Sequence, residues 1–514
     1  MTEPTYPRIY NAAVDMIDRH MTEGRASKAA FIDANGVQTY GELAADCNRM
    51  ANLLDAYRVD RETRIALLLN DTRNFPVVFW GAIKAGVVPV ALNTLLTTEQ
   101  YAYILADSRA KVLVVSAALF PVVQPILATL PFLAHVFVAD GPAPPSGRDL
   151  ARELALQADT FEAVETTGDE TAFWLYSSGS TGMPKGARHV HTSAMETARL
   201  YGRGVLGLGP DDVCFSAAKL FFAYGLGNGM SFPLAVGATT VLLAERPTPE
   251  AVFRTLQTHR PTIFFGVPTL YAAMLAHPGA GPDLSSPRLR ACVSAGEALP
   301  AEVGLAWKRR FAVDILDGVG STEMLHIYVS NRPGDVTYGT SGRPVPGYAI
   351  RLVDEAGEDV ADGEVGEMLV EGSTAAEGYW NQRAKSRSTF EGGWTRTGDK
   401  YTRGADGAYT YQGRTDDMFK VSGIWVSPFE VESALIAHDA VLEAAVVPRE
   451  DADGLLKPRA IVVLKPGRMA DGLVAVLQEH VKMKAGPWKY PRWIEFTDAL
   501  PKTATGKIQR YKLR

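Results

Sequence analysis

Along the chain, short runs of apolar and β-branched residues alternate with segments of helix length. The runs are RIALLLN (64–70), KVLVVSA (111–117), HVFVAD (135–140), ATTVLLAE (238–245), PTIFFGVP (261–268), LRACVSAG (289–296) and VDILDGVG (313–320). Each is too short for a helix and apolar on both faces, which is the pattern of a strand covered from both sides. Alternation with helices then predicts α/β layers around largely parallel strands. Segments such as GPAPPSG (141–147) and HPGAGPDLSSP (277–287) read as surface loops between these elements.

After about Gly413 the pattern changes. SPFEVESALIAH reads as an amphipathic helix with Ser427 as N-cap, EAAVVPRE and RAIVVLKP as strands, and LVAVLQEHVKMK as a second helix. This is a compact α+β unit, the size of a small domain. The expected organisation is a large layered α/β domain over 1–413, a linker at 414–417 within GRTDD, and a small mobile α+β domain over 418–514.

One stretch, Phe221 to Ala244, carries no charge and is long enough to cross a bilayer. Asn228, Pro233 and four glycines interrupt it, and its end, TTVLLA, has strand character. It reads as an apolar helix followed by a core strand, lining something that must stay uncharged, and no membrane association is expected.

The chain has 514 residues, enough for at least two domains, and 46% hydrophobic content marks it as globular. A net charge of -6 without like-charge blocks offers no basic stripe, which argues against nucleic acid as a partner. Cys47, Cys214 and Cys292 are odd in number and widely spaced, so they suggest neither a disulfide framework nor a zinc site. With no signal-peptide pattern in the first twenty residues, a cytoplasmic location is expected.

Tyr176 to Gly186 reads YSSGSTGMPKG. A loop this poor in side-chain bulk exposes backbone N–H groups to an anion, and phosphate is the natural guest. The spacing is not that of a P-loop, because Pro184 stands directly before Lys185.

Four further stretches accompany it in order: DGVGSTE (317–323), TGD (397–399), GRTDDMFKVSG (413–423) and PKTATGK (501–507). Together the five resemble the adenylate-forming superfamily of acyl-CoA synthetases, carrier-loading adenylation domains and luciferases. The resemblance implies activation of a carboxylate by ATP and Mg²⁺ as an acyl-adenylate. Ser177, Ser178, Gly179, Ser180, Thr181, Gly182 and Lys185 would then hold the β- and γ-phosphates. Glu323 would hold Mg²⁺, Thr322 would reach the α-phosphate, and Lys507 would bring an ammonium to it. Adenine would be met by Ala295, Gly296, Glu297, Asp317 and Gly318. Val319 stands where many relatives stack an aromatic ring on the base. Asp399 would accept from the ribose hydroxyls with Arg414 in support, and Asp416 would be the hinge.

AKLFFAYGLGNG and GSTEMLHIYVSN further resemble the benzoate-CoA ligase branch. Phe222, Ala223, Tyr224, Gly225, Gly320, His326 and Ile327 would form the acyl pocket, with no carboxylate to meet an amino acid's ammonium group. Flat aromatic walls suit a planar ring. Taken alone, His326 reads equally as a packed core histidine and Tyr224 as plain core.

The expected reaction is an aryl-CoA ligation, with coenzyme A entering past Ser422, Gly423 and Trp425. Loading of a separate carrier protein is the alternative, and a non-catalytic aryl-acid-binding protein the third reading. Benzoate, hydroxybenzoates, aminobenzoates and heteroaromatic acids all remain open as substrates. A homodimer, and acylation of Lys507 as a regulatory step, complete the expectations.

Overall fold

A computed structural model describes residues 6–177, 183–415, 417–421, 424–452, 455–487, 489–502 and 508–514. All seven apolar runs form strands. Arg64–Leu68, Val112–Ser116 and His135–Ala139 lie in an eight-stranded sheet, while Thr239–Val241, Ile263–Gly266, Ala291–Ser294 and Ile315–Gly320 lie in a nine-stranded one. Their neighbours in the interior of both sheets are parallel. Strands buried on both faces, such as Val112–Ser116, read as unbroken apolar runs for that reason.

Antiparallel pairing in these two sheets is confined to the margins, where several of the candidate site residues lie. In the eight-stranded sheet, Thr171–Ser177 pairs antiparallel with Lys185–Val190, which in turn pairs with Gly378–Tyr379. In the nine-stranded sheet, Ile315–Gly320 pairs antiparallel with Ile327–Ser330. A third, antiparallel sheet brings Trp394–Arg403 beside Tyr409–Arg414.

The uncharged stretch forms a helix over Ala223–Leu226, a π-helical segment over Gly227–Ser231, and a helix over Phe232–Val236. Gly237, at φ 73°, ends the last helix in the left-handed region that glycine adopts without strain, and the chain turns into the Thr239–Val241 strand. A second π-helical segment, Ala198–Arg203, lies nearby. Among the described residues no helix is long and apolar enough to cross a membrane.

The C-terminal elements match their pattern. Ser427 Oγ accepts from Glu430 N at 3.1 Å to cap the Pro428–Ile436 helix, and Leu473–Ala485 forms the second helix. Val441–Glu450 pairs antiparallel with Leu456–Leu464, and Trp493–Phe496 adds a parallel third strand. Buried Glu432 accepts from Val446 N at 2.7 Å, from Arg510 Nη2 at both carboxylate oxygens, at 2.9 and 2.7 Å, and from Arg510 Nε at 3.2 Å. The smaller sheet domain is thus stitched to the end of the chain.

Candidate active site

Ser177 and Lys185 are direct partners across the antiparallel pair, so the strand ends bracket the glycine-rich loop. The Ser177 hydroxyl has no partner among the described residues. Ser178, Gly179, Ser180, Thr181 and Gly182 lie outside them. Lys185 Nζ donates to the Tyr379 hydroxyl at 2.9 Å, which donates to Glu323 Oε1 at 2.6 Å. The ammonium itself stands 3.6 Å from Glu323 Oε1 and 4.2 Å from the Tyr379 ring centroid. Burial alone would raise the Glu323 carboxyl, but Lys185 and the Tyr379 hydroxyl outweigh it and hold the group below its ordinary value. The carboxylate is therefore ionised and ready to accept.

Backbone contacts fix Glu323. Its carbonyl accepts from Ala376 N at 2.7 Å, and the Thr322 carbonyl accepts from His189 Nε2 at 2.9 Å. His189 is fully buried, and desolvation lowers its pKa to about 4, so it stays a neutral donor. Leu325 takes φ 65°, an uncommon conformation for a leucine, which turns the chain sharply before His326. A Cβ on Gly320 would sit 2.5 Å from the His326 carbonyl, so only glycine lets these strands approach.

Three residues past Glu323, His326 enters an aromatic cage. Its ring centroid lies 4.4 Å from Phe232, 5.2 Å from Tyr201 and 5.6 Å from Tyr224. Nε2 lies 3.1 Å from Asn228 Oδ1. Burial lowers the His326 pKa to about 3, so the imidazole is neutral and donates to that oxygen. The Tyr224 hydroxyl donates to the Val293 carbonyl at 3.0 Å, which leaves the flat ring as the surface on offer. Phe222 is half-buried and precedes the short helix that begins at buried Ala223. Ile327 packs against Gly318, where an added Cβ would meet its Cγ2 at 2.9 Å. Gly225 has a different use from the one its size suggests. A Cβ there would fall 2.0 Å from the Lys219 carbonyl, so its smallness serves a backbone approach.

Arg414 Nη1 donates to Asp399 Oδ1 at 2.9 Å. Asp317 is buried within the Ile315–Gly320 strand, where desolvation pushes its carboxyl well up, and Gly318 follows it. Ala295 is buried, Gly296 is exposed at φ 94° with open space where a side chain would be, and Glu297 is half-buried beside it. Asp416, Ser422, Gly423, Lys507 and the Trp425 side chain lie outside the described residues.

Among the described residues no group of three or more His, Cys, Asp or Glu side chains could hold a metal by itself. A single ionised carboxylate instead fits Mg²⁺ that arrives with nucleotide phosphates, since this ion keeps most of its shell as water and phosphate oxygen. Two residues of the site, Tyr379 and Asn228, escape the sequence patterns. Tyr379 reaches Lys185 across 194 positions, and no local spacing marks that pairing. Asn228 registers only as a polar interruption of an apolar stretch.

The chain matches the model of the AMP-binding enzyme family over residues 18–380 and that of the AMP-binding enzyme C-terminal domain over 430–507. It is 56% identical over 513 residues to the 4-hydroxybenzoate–CoA/benzoate–CoA ligase of Rhodopseudomonas palustris, covering 99% of this chain and 94% of that one. It is 57% identical over 512 residues to the benzoate–CoA ligase of Thauera aromatica, covering 99% and 96%. The crystal structure of a benzoate CoA ligase from Burkholderia xenovorans LB400 superposes with a TM-score of 0.92 at 50% identity, covering 98% of this chain and 100% of that one. An anthranilate CoA ligase in complex with anthranoyl-AMP gives a TM-score of 0.96 at 43% identity, covering 99% and 97%. The chain therefore belongs to the AMP-binding enzymes of the adenylate-forming superfamily and, within it, to the benzoate-CoA ligase branch.

Proposed function

We propose that this chain is an AMP-forming acid–thiol ligase. It joins benzoate or a substituted benzoate to coenzyme A through an aryl-adenylate, at the expense of ATP. One observation carries the reading beyond the resemblance. The short segment Gly320–Ile327 presents Glu323 to Lys185 and Tyr379, and three residues later presents His326 to an uncharged aromatic cage. An acid whose ring enters the cage then has its carboxylate directed toward the nucleotide.

In the first half-reaction an oxygen of the acid attacks the α-phosphorus and pyrophosphate leaves. Lys185 and the loop from Ser177 to Gly182 hold the β- and γ-phosphates, Thr322 meets the α-phosphate, and Asp399 receives the ribose hydroxyls. Glu323 would hold Mg²⁺, which would supply positive charge to the leaving pyrophosphate when bound. Adenine lies along Ala295–Glu297 and Asp317–Gly318. Lys507 directs its ammonium at the charge developing on the α-phosphate.

In the second half-reaction the thiol of coenzyme A attacks the acyl carbon and expels AMP. Lys507 then has to vacate the approach, which requires the domain 418–514 to rotate against 1–413 about 414–417, with Asp416 as pivot. Ser422, Gly423 and Trp425 line the pantetheine path. The enzyme works in the cytoplasm as a homodimer, and acylation of Lys507 silences its first step. Pyrophosphate exchange and thioester formation across a panel of aromatic acids test the reaction. Exchange with benzoates and release of aryl-CoA are expected, whereas adenylate formation without transfer to coenzyme A would favour a carrier-loading enzyme.

A further inference from the structure

Tyr379 has a place in the site that neither its neighbours in sequence nor the reaction scheme above assigns. Its phenol is 4% exposed and stands between the two charged groups that must separate when nucleotide binds. It accepts from Lys185 at 2.9 Å and donates to Glu323 Oε1 at 2.6 Å, within the range of a charge-assisted O–H···O⁻ bond. The ammonium reaches only 3.6 Å from the same oxygen.

The backbone holds the phenol from several directions. Tyr379 pairs with Ala187 in the strand that begins at Lys185, and Trp380 N donates to the Gly186 carbonyl at 2.8 Å. Tyr379 N donates to Ser386 Oγ at 2.9 Å. Ala376, three residues upstream, holds the Glu323 carbonyl at 2.7 Å. Burial, and after it the Glu323 carboxylate, raises the Tyr379 pKa well above that of a free phenol, so the hydroxyl keeps its proton.

We infer that Tyr379 is a positioning residue for the metal-bound nucleotide: its hydroxyl spaces Lys185 from Glu323, so that neither charge is consumed by the other before ATP arrives. An ammonium in direct contact with a part-buried carboxylate competes with an incoming cation for the same oxygen, and it is also withheld from the phosphates. With the hydroxyl between them, Glu323 Oε1 is occupied by a neutral donor, and Lys185 is held by a neutral acceptor and a ring face. Both contacts are cheaper to exchange than a contact ion pair. The inference rests on the assignment of Glu323 and Lys185 to Mg²⁺ and phosphate.

The test is a double-mutant cycle read by calorimetric binding of Mg²⁺ with α,β-methylene-ATP, which cannot undergo the first half-reaction. Tyr379→Phe keeps the ring beneath the ammonium and against Phe390 but lets Lys185 close on Glu323. It is expected to weaken binding roughly tenfold, the scale of one charged hydrogen bond. Lys185→Met also weakens binding, but adding Tyr379→Phe to it is expected to cost less than about twofold, because the competing ammonium has gone. Unchanged binding by Tyr379→Phe overturns the inference, and so does an equal loss in both backgrounds. If Tyr379→Phe does not fold, as judged by its melting transition, Ser386→Ala takes its place. That change loosens the Tyr379 backbone and is expected to give a smaller loss with the same dependence on Lys185, and no loss overturns the inference. Glu323→Gln separates the two levels of the argument. If it binds the metal nucleotide like the parent, the assignment of Glu323 has failed; if it loses binding while Tyr379→Phe does not, only the inference about Tyr379 has.

Discussion

Asp399 and Arg414 face each other as direct partners in neighbouring strands, and Arg414 Nη1 donates both to Asp399 Oδ1 at 2.9 Å and to the Thr397 carbonyl at 3.0 Å. The guanidinium thus holds an oxygen of the carboxylate that is proposed to receive the ribose hydroxyls. Asp399→Ala is expected to raise KM for ATP at least about tenfold, as loss of charged hydrogen bonds to both ribose hydroxyls would, with a smaller effect on KM for benzoate. Steady-state kinetics with each substrate varied decides it. Equal increases in both constants would argue against a ribose contact.

Lys507 should serve only one of the two half-reactions. Lys507→Ala is expected to lower adenylate formation by roughly two or more orders of magnitude, because an ammonium aimed at developing phosphate charge is worth several kcal/mol. Given pre-made benzoyl-AMP and coenzyme A, the variant should form benzoyl-CoA at nearly the parent rate. Equal loss in both steps, with the fold intact, would refute the two-conformation scheme.

On its Gly227 side the His326 ring is closely packed. A Cβ on Gly227 would fall 2.4 Å from His326 Cδ2 and 2.9 Å from Phe232 Cζ. Gly227→Ala is therefore expected to displace the imidazole and cost about 1–3 kcal/mol of stability, with adenylate formation from benzoate falling more than binding of ATP. On the pocket assignment proposed above, Ala223→Leu in the neighbouring short helix should exclude aromatic acids while leaving ATP binding nearly unchanged. Denaturant melts and pyrophosphate exchange check both variants; unaltered turnover with benzoate would remove Ala223 from the pocket.

Stability should fall as the solution is acidified below pH 6.5. Burial lowers His20, His189 and His191 to about 4 and His326 to about 3, from an ordinary 6.5, so their contribution is complete above that value and is lost as pH falls toward 4. Asp71, raised by burial to about 6, and Asp317, raised likewise, act in the opposite sense, because the folded chain keeps protons that the unfolded chain releases. At pH 5 these six groups together give a net uptake of roughly two protons on unfolding, and unfolding free energy should rise by about 3 kcal/mol per pH unit. Urea melts at closely spaced pH values measure the slope; a flat or inverted dependence would mean that the histidines are not held neutral.

Much of the fold is legible because burial on both faces leaves an unmistakable run of apolar residues, as in Val112–Ser116, and because Ser427 has a backbone N–H to cap three residues on. The glycine-rich loop, the Glu323 segment and Asp399 stand out in the sequence for another reason: each forms a short motif of residues within a few positions of one another. Tyr379 is not legible, since its role arises where two strands from distant parts of the chain pair. Gly225 is small for a reason that composition alone does not reveal. Smallness suggests room for a ligand, whereas the space is filled by the Lys219 carbonyl, and composition cannot distinguish a cavity from a close backbone contact.

Tyr201 and Asn228, which touch His326 from two sides, each belong to a π-helical segment, Ala198–Arg203 and Gly227–Ser231. A π turn is an α turn with one residue too many, and it persists only where the surroundings favour the bulge. Deleting that one residue would let the segment relax to the α form, which moves the bulged side chains while the flanking turns keep their orientation. The histidine would then meet a different face. The surroundings of His326 can therefore change by length as well as by substitution: a single-codon deletion in either segment would redraw the aromatic cage while the sheets beneath keep their register.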